Sequence, residues 1–153
     1  IMLGEQAWEV LITPGHCPGH ICLISDAGLV AGDMVAGIGT ILVPPHEGDM
    51  HEYIRQLERL KNKRPYLIFP SHGPVIPLPQ KILNHYISHR KNREEKILQA
   101  LVSSSDIQEI ARMAYEDTPK AHPFLAKDQT LAHLISLQKT HQVTHDKNGW
   151  RLV

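Results

Sequence analysis

Short apolar runs separated by turns mark the first part of this chain, and longer stretches at helical spacing mark the rest. Residues 8–12 (WEVLI) predict a buried strand that must turn at Thr13-Pro14-Gly15. A second run over 21–24 closes at Ser25-Asp26-Ala27-Gly28, and a third over 29–31 ends at Gly32-Asp33. Residues 44–48 (PPHEG) read as a loop. Asp49 then caps a helix, with Glu52 at capping-box spacing. Met50, Tyr53, Ile54, Leu57 and Leu60 fall on one face of that helix, Arg64-Pro65 ends it, and 66–69 predicts another strand.

The pattern changes at Lys81. Residues 81–101 contain no Gly or Pro and predict one long helix with Ile82, Tyr86, Ile97, Leu98 and Leu101 as apolar positions. Ser103-Ser104-Ser105-Asp106 breaks it and caps a second helix carrying Ile107, Ile110, Ala111 and Ala114. A third is expected from Asp128, with Leu131, Leu134, Ile135 and Gln138 recurring on its turns and Thr130, His133 and Lys139 outward. Residues 142–153 predict a hairpin around Asn148-Gly149, with Trp150 in its core. Helix, helix, helix, hairpin is the order of a winged helix.

Composition narrows the function classes. The 153 residues carry 16 basic and 16 acidic side chains, so no global field recruits nucleic acid or an acidic membrane. Cys17 and Cys22 are not a C-x-x-C pair and read as free thiols of a reducing compartment. No run is long enough to cross a bilayer and no signal peptide is evident, so the expected location is cytoplasmic. The first residues, Ile1-Met2, look cut from something longer. The basic residues Lys81, His85, His89, Arg90, Lys91, Arg93 and Lys96, diluted by Glu94 and Glu95, read as a solvated helix face.

Eleven histidines are the compositional outlier. Polar residues follow the apolar runs directly: His16 after the first, Asp33 after the third and His72 after the fourth. Strand ends are where side chains of α/β proteins converge. Glycines beside each (Gly15, Gly32, Gly73) permit close backbone approach. Neutral imidazoles and a carboxylate suit zinc, and Asp33 could bridge two ions. His20 and Cys17 are candidates to support these ligands from behind.

The stretches "TPGHCPGH", "VAGD", "GIGTILVPPHEGDMHEYIRQLERL" and "FPSHGPVI" resemble the second half of a metallo-beta-lactamase-fold hydrolase. The tail "HYISHRKNREEKIL" with "LAKDQTLAHLISLQKTHQV" is similar to the beta-lactamase-like protein 2 group, which appends a winged helix. The resemblance implies an α/β fold. Residues 1–80 would be the C-terminal half of an αββα sandwich, 81–102 a connecting helix and 103–153 a winged-helix-like domain. It makes His16, Asp33 and His72 zinc ligands, with two zinc ions in the complete fold and at most one in this chain. The family's H-x-H-x-D-H motif, which brings the other ligands and the expected general base, is absent from the sequence.

The leading expectation is therefore part of a zinc-dependent hydrolase, inactive alone, whose metal-bound hydroxide attacks single-stranded RNA or a small thioester or lactam. Its partner would be the missing N-terminal half. A glyoxalase-II-like thioesterase is the runner-up. A non-catalytic winged-helix fragment, pairing through its uncovered apolar face, is the alternative from another class.

Overall fold

The computed structural model describes all 153 residues. Its centre is a four-stranded sheet of β3 (Glu9–Ile12), β4 (Ile21–Ser25), β5 (Gly28–Gly32) and β6 (Ile68–Pro70), in that order. The first three strands are antiparallel. The β5–β6 pair is parallel, joined by a crossover that contains helix α1 (Met50–Asn62). A small hairpin of β1 (Met2–Leu3) and β2 (Gln6–Ala7), absent from the sequence reading, precedes the sheet.

Alternation decides which way the sheet faces. Leu11, Cys22, Leu29, Ala31 and Ile68 point inward and are buried against α1, whose Met50, Tyr53, Ile54, Leu57 and Leu60 form the facing stripe. The register places Val10, Leu23, Val30 and Phe69 in one row across the opposite face, with Ile12 beside Ile21. Ile12 is 66% and Ile21 51% exposed, so this face is apolar and uncovered.

Asp49 caps α1 by accepting from the Glu52 N–H. The reciprocal half of the capping box does not form, because the Glu52 carboxylate binds Arg55 and Gln56 instead. The last strand of the sheet covers 68–70 rather than 66–69. The chain leaves α1 through Arg64 at φ 50, and Tyr66 remains exposed before pairing begins.

Helix α2 (Pro79–Leu101) is a strut between two cores. Its first half gives Leu83, Tyr86 and Ile87 to the core under the sheet, and its second half gives Ile97, Ala100 and Leu101 to another. The second core is completed by α3 (Ile107–Ala114), α4 (Pro123–Lys139) and a hairpin of β7 (Val143–Asp146) and β8 (Gly149–Leu152). Trp150 is buried in it as expected.

Helices α2 and α4 both begin earlier than their expected starts at Lys81 and Asp128. Pro79 and Pro123 occupy the first turn, where a preset φ and a missing N–H cost nothing. The facing of α4 also differs from the expectation, because both cores pack on this helix. Thr130 and His133, expected outside, are fully buried, and α4 reaches the first core through Ala132. The basic face expected on α2 is solvated at Lys81, His85 and Lys91, but two of its members are internal. Arg90 and Arg93 are buried and bind the carbonyls of Ile41 and Ala114, while Lys91 pairs with Glu58 and Lys96 with Asp117.

Candidate metal centre

The three loops singled out by their sequence meet at one end of the sheet. The loop after β3 lies on the first turn of α1. Gly15 (φ 133) packs where a Cβ would fall 2.4 Å from the Tyr53 Cα, and its carbonyl accepts from the Asp49 N–H at 2.8 Å. Only glycine fits there. The loop after β5 is held by two tyrosines. Tyr53 Oη donates to the Met34 carbonyl at 2.6 Å, and Tyr86 Oη accepts from Ala36 N–H and donates to the Gly39 carbonyl. The loop after β6 is tied to it by Ser71 N–H to Gly32 O and Gly37 N–H to His72 O.

His16, Asp33 and His72 are thereby brought together. His16 Nε2 stands 3.7 Å from Asp33 Oδ2, and His72 Nε2 stands 3.2 Å from Asp33 Oδ1. The His16 Nδ1 lies 2.9 Å from the Leu42 carbonyl. A carbonyl only accepts, so Nδ1 carries the proton, and in the neutral ring Nε2 presents a lone pair to the carboxylate. Two acceptors thus face each other. Asp33 Oδ1 is buried and makes no hydrogen bond, His72 included. A buried carboxylate oxygen left in this state calls for a cation.

His20 supports the array from behind. The Asp33 N–H donates to His20 Nε2 at 3.0 Å, so Nδ1–H must donate to Thr13 Oγ1 at 2.8 Å. Thr13 in turn donates to Cys22 Sγ, and the thiol donates to the Ala31 carbonyl. The ends of this chain, a backbone N–H and a backbone C=O, fix the direction of every bond in it. Burial, followed by the neighbouring His16, holds the His20 imidazole below its ordinary value and keeps it neutral. Burial pushes the Cys22 thiol up to about 11, so it keeps the proton it donates. Gly32 (φ 53) makes room for the ring: a Cβ there would meet His20 Nε2 at 2.5 Å. Cys17 contributes only a turn, its carbonyl accepting from the His20 N–H, and its thiol joins none of the hydrogen bonds around Asp33. His46 is exposed in the following loop.

The sequence pattern of the metallo-beta-lactamase superfamily matches residues 1–72. The Beta-lactamase-like protein 2 homolog of Drosophila melanogaster is 33% identical over 146 residues, which cover 92% of this chain and 49% of that protein. The chain belongs to the metallo-beta-lactamase superfamily. A probable metallo-hydrolase of Bacillus subtilis, YqjP, is 26% identical over 92% of this chain and 48% of its own length. A beta-lactamase domain protein from Burkholderia ambifaria has the same fold over the whole chain, with a TM-score of 0.84 at 23% identity and 50% of that protein covered. The chain spans about half the length of the curated relatives it matches.

Metallo-beta-lactamases generally bind zinc, and the donors present here fit part of such a centre. Two donors on one tetrahedral zinc at about 2.0–2.1 Å lie about 3.3 Å apart. The separations of 3.2 and 3.7 Å bracket that figure. Nowhere in the chain are three or more His, Cys, Asp or Glu side chains grouped so as to hold a metal by themselves. Asp33 instead has one histidine at each oxygen. Sequence reasoning missed the residues that aim these donors, Thr13, Leu42 and the two tyrosines. No local pattern marks a backbone carbonyl as the partner of a histidine 26 residues away.

Proposed function

We propose that this chain supplies one side of a dinuclear zinc centre in a hydrolase of single-stranded RNA, with His16, Asp33 and His72 as its ligands. The observation that carries the reading is the Asp33 carboxylate, set between two histidine nitrogens with one oxygen buried and without a hydrogen bond. When bound, zinc supplies a Lewis acid and lowers the pKa of water at the site. The chain's own residues hold the donors still. Leu42 fixes the His16 ring with Nε2 forward, His20 fixes the Asp33 backbone, and the exposed His72 stands at Asp33 Oδ1.

The remaining ligands and the general base would come from an N-terminal half carrying H-x-H-x-D-H, seated on the uncovered row Val10, Leu23, Val30 and Phe69. Burying such a face removes apolar surface from water at about 25 cal/mol per Å². The resemblance to beta-lactamase-like protein 2 sequences supports RNA as the substrate. Four of the basic side chains of α2 add little to a phosphate-binding face, because Arg90 and Arg93 are buried on backbone carbonyls and Lys91 and Lys96 pair with Glu58 and Asp117. The helices and hairpin after α2 are read as a winged-helix-like unit that packs on the hydrolase rather than reading base sequence.

The test joins the chain to an N-terminal half of this kind and offers labelled single-stranded RNA and a glutathione thioester in parallel. RNA cleavage that disappears in Asp33→Ala is the expected result. Thioester hydrolysis without RNA cleavage would move the assignment to a glyoxalase-II-like thioesterase. Activity on neither, with the joined protein folded, would support a non-catalytic unit.

A further inference from the structure

Helix α4 belongs to the second core, yet its polar side chains reach the loop that orients His16. Three consecutive residues of that loop, 41–43, are each held through the backbone. The Ile41 carbonyl accepts from Arg90, and the Leu42 carbonyl accepts from His16 Nδ1. Val43 N–H donates to Gln129 Oε1 at 3.1 Å, while the Val43 carbonyl accepts from Gln129 Nε2 at 2.9 Å. Gln129 is only 5% exposed, and its amide imitates the edge of a neighbouring strand. Arg90 Nη1 also donates to Gln129 Oε1 at 3.1 Å, which fixes which end of the amide is oxygen. A second link runs from α4 to the other side of His16. Lys139 and Ser136 both hold the Asp49 carboxylate, and the Asp49 N–H holds the Gly15 carbonyl.

We propose that Gln129 is a positioning residue for His16. By clamping Val43 on both its polar groups, it sets the Leu42 carbonyl where it must be to accept the His16 Nδ1–H, so that Nε2 is the nitrogen left bare. The helical unit following α2 is then a working part of the site. The role rests on His16 being a ligand only where zinc affinity is concerned; the effect on the ring itself does not require metal.

The experiment uses the whole chain labelled with ¹⁵N and reads the imidazole nitrogens by long-range proton–nitrogen correlation, followed by titration with zinc alone. Gln129→Met keeps the length and removes both bonds to Val43. Gln129→Glu keeps the acceptor and removes the donor. In the parent, His16 and His20 both show a protonated Nδ1. In Gln129→Met, the His16 signature gives way to a mixture of tautomers while that of His20 stays, and zinc binding weakens on the order of 10- to 100-fold. Gln129→Glu falls between. A folded Gln129→Met with the parental His16 spectrum overturns the proposal. Should that variant not fold, an unchanged His16 spectrum in Gln129→Glu overturns it equally. A parent that binds no zinc, with the His16 tautomer still moving in Gln129→Met, sustains the positioning role and removes only the metal reading.

Discussion

Replacing Glu94 with glutamine removes one charge from the seam where α1, α2 and α4 meet. Glu94 Oε2 accepts from His51 Nε2 at 3.0 Å and from His133 Nδ1 at 3.1 Å. Burial pushes the Glu94 carboxyl up, but the bonds from His133 and His51 outweigh it and bring the group down from 4.5 to about 2. His133 is fully buried, and that burial holds it below its ordinary value, so it donates as a neutral ring. His51 is raised, chiefly by its bond to Glu94.

A carboxylate lowered on folding contributes stability that is complete above its unfolded pKa and is lost as pH falls through the folded one. The gap between 4.5 and about 2 corresponds to at most about 3 kcal/mol. A side chain 20% exposed is partly screened, which reduces this to roughly 2 kcal/mol. Urea unfolding of parent and variant, repeated from about pH 7 down to about pH 3.5, measures it. The variant is expected to be less stable by about 1–2 kcal/mol near pH 6, and the difference to close by about 1 kcal/mol near pH 3.5. It also narrows on the alkaline side, because the stability from the raised His51 is full below 6.5 and lost as pH rises through its higher folded value. His20 and His89, both lowered chiefly by burial, lose stability as pH falls below 6.5 in parent and variant alike, so they cancel in the difference. A difference that stays constant over the whole range would refute the role assigned to the Glu94 charge.

Two other perturbations probe the frame of the site. Gly32→Ala places a Cβ in a left-handed backbone and against His20, breaking the bond to the Asp33 N–H. A cost of about 2–4 kcal/mol is expected by thermal unfolding, and an unchanged melting temperature would contradict the geometry. Ile12→Lys with Ile21→Lys alters the uncovered sheet face, where both side chains are exposed. Stability should change by less than about 1 kcal/mol while self-association in sedimentation falls; loss of folding would show that the face is not free.

The residues that make elements were legible because their signals are local. The α1 stripe from Met50 to Leu60, the Asp49 cap and the Asn148-Gly149 turn each follow from spacings within a few residues. His16, Asp33 and His72 were legible as candidates because each follows an apolar run, and the sheet does bring those three ends together. What local patterns could not carry was the far side of each contact. Gln129 lies 86 residues from Val43, and His133 lies 39 from Glu94. Thr130 and His133 look like outward residues when only the face of Leu131, Leu134 and Ile135 is taken to be covered. Ala132 packs in the first core while Leu134 and Leu137 pack in the second, so α4 is covered on both sides and Thr130 and His133 lie inside. Arg90 and Arg93 look like a basic surface until the carbonyls they cap are known.

The central claim is that Asp33 and its two histidines supply one side of a zinc centre, and the most direct measurement is zinc bound by the chain joined to an N-terminal half carrying H-x-H-x-D-H, by elemental analysis after dialysis against micromolar zinc. The account predicts zinc retained by this joined parent and reduced in Asp33→Ala and in His72→Ala, with the ¹⁵N signals of His20 confirming a folded chain. Zinc absent from the parent, or held equally by the parent and Asp33→Ala, would contradict it.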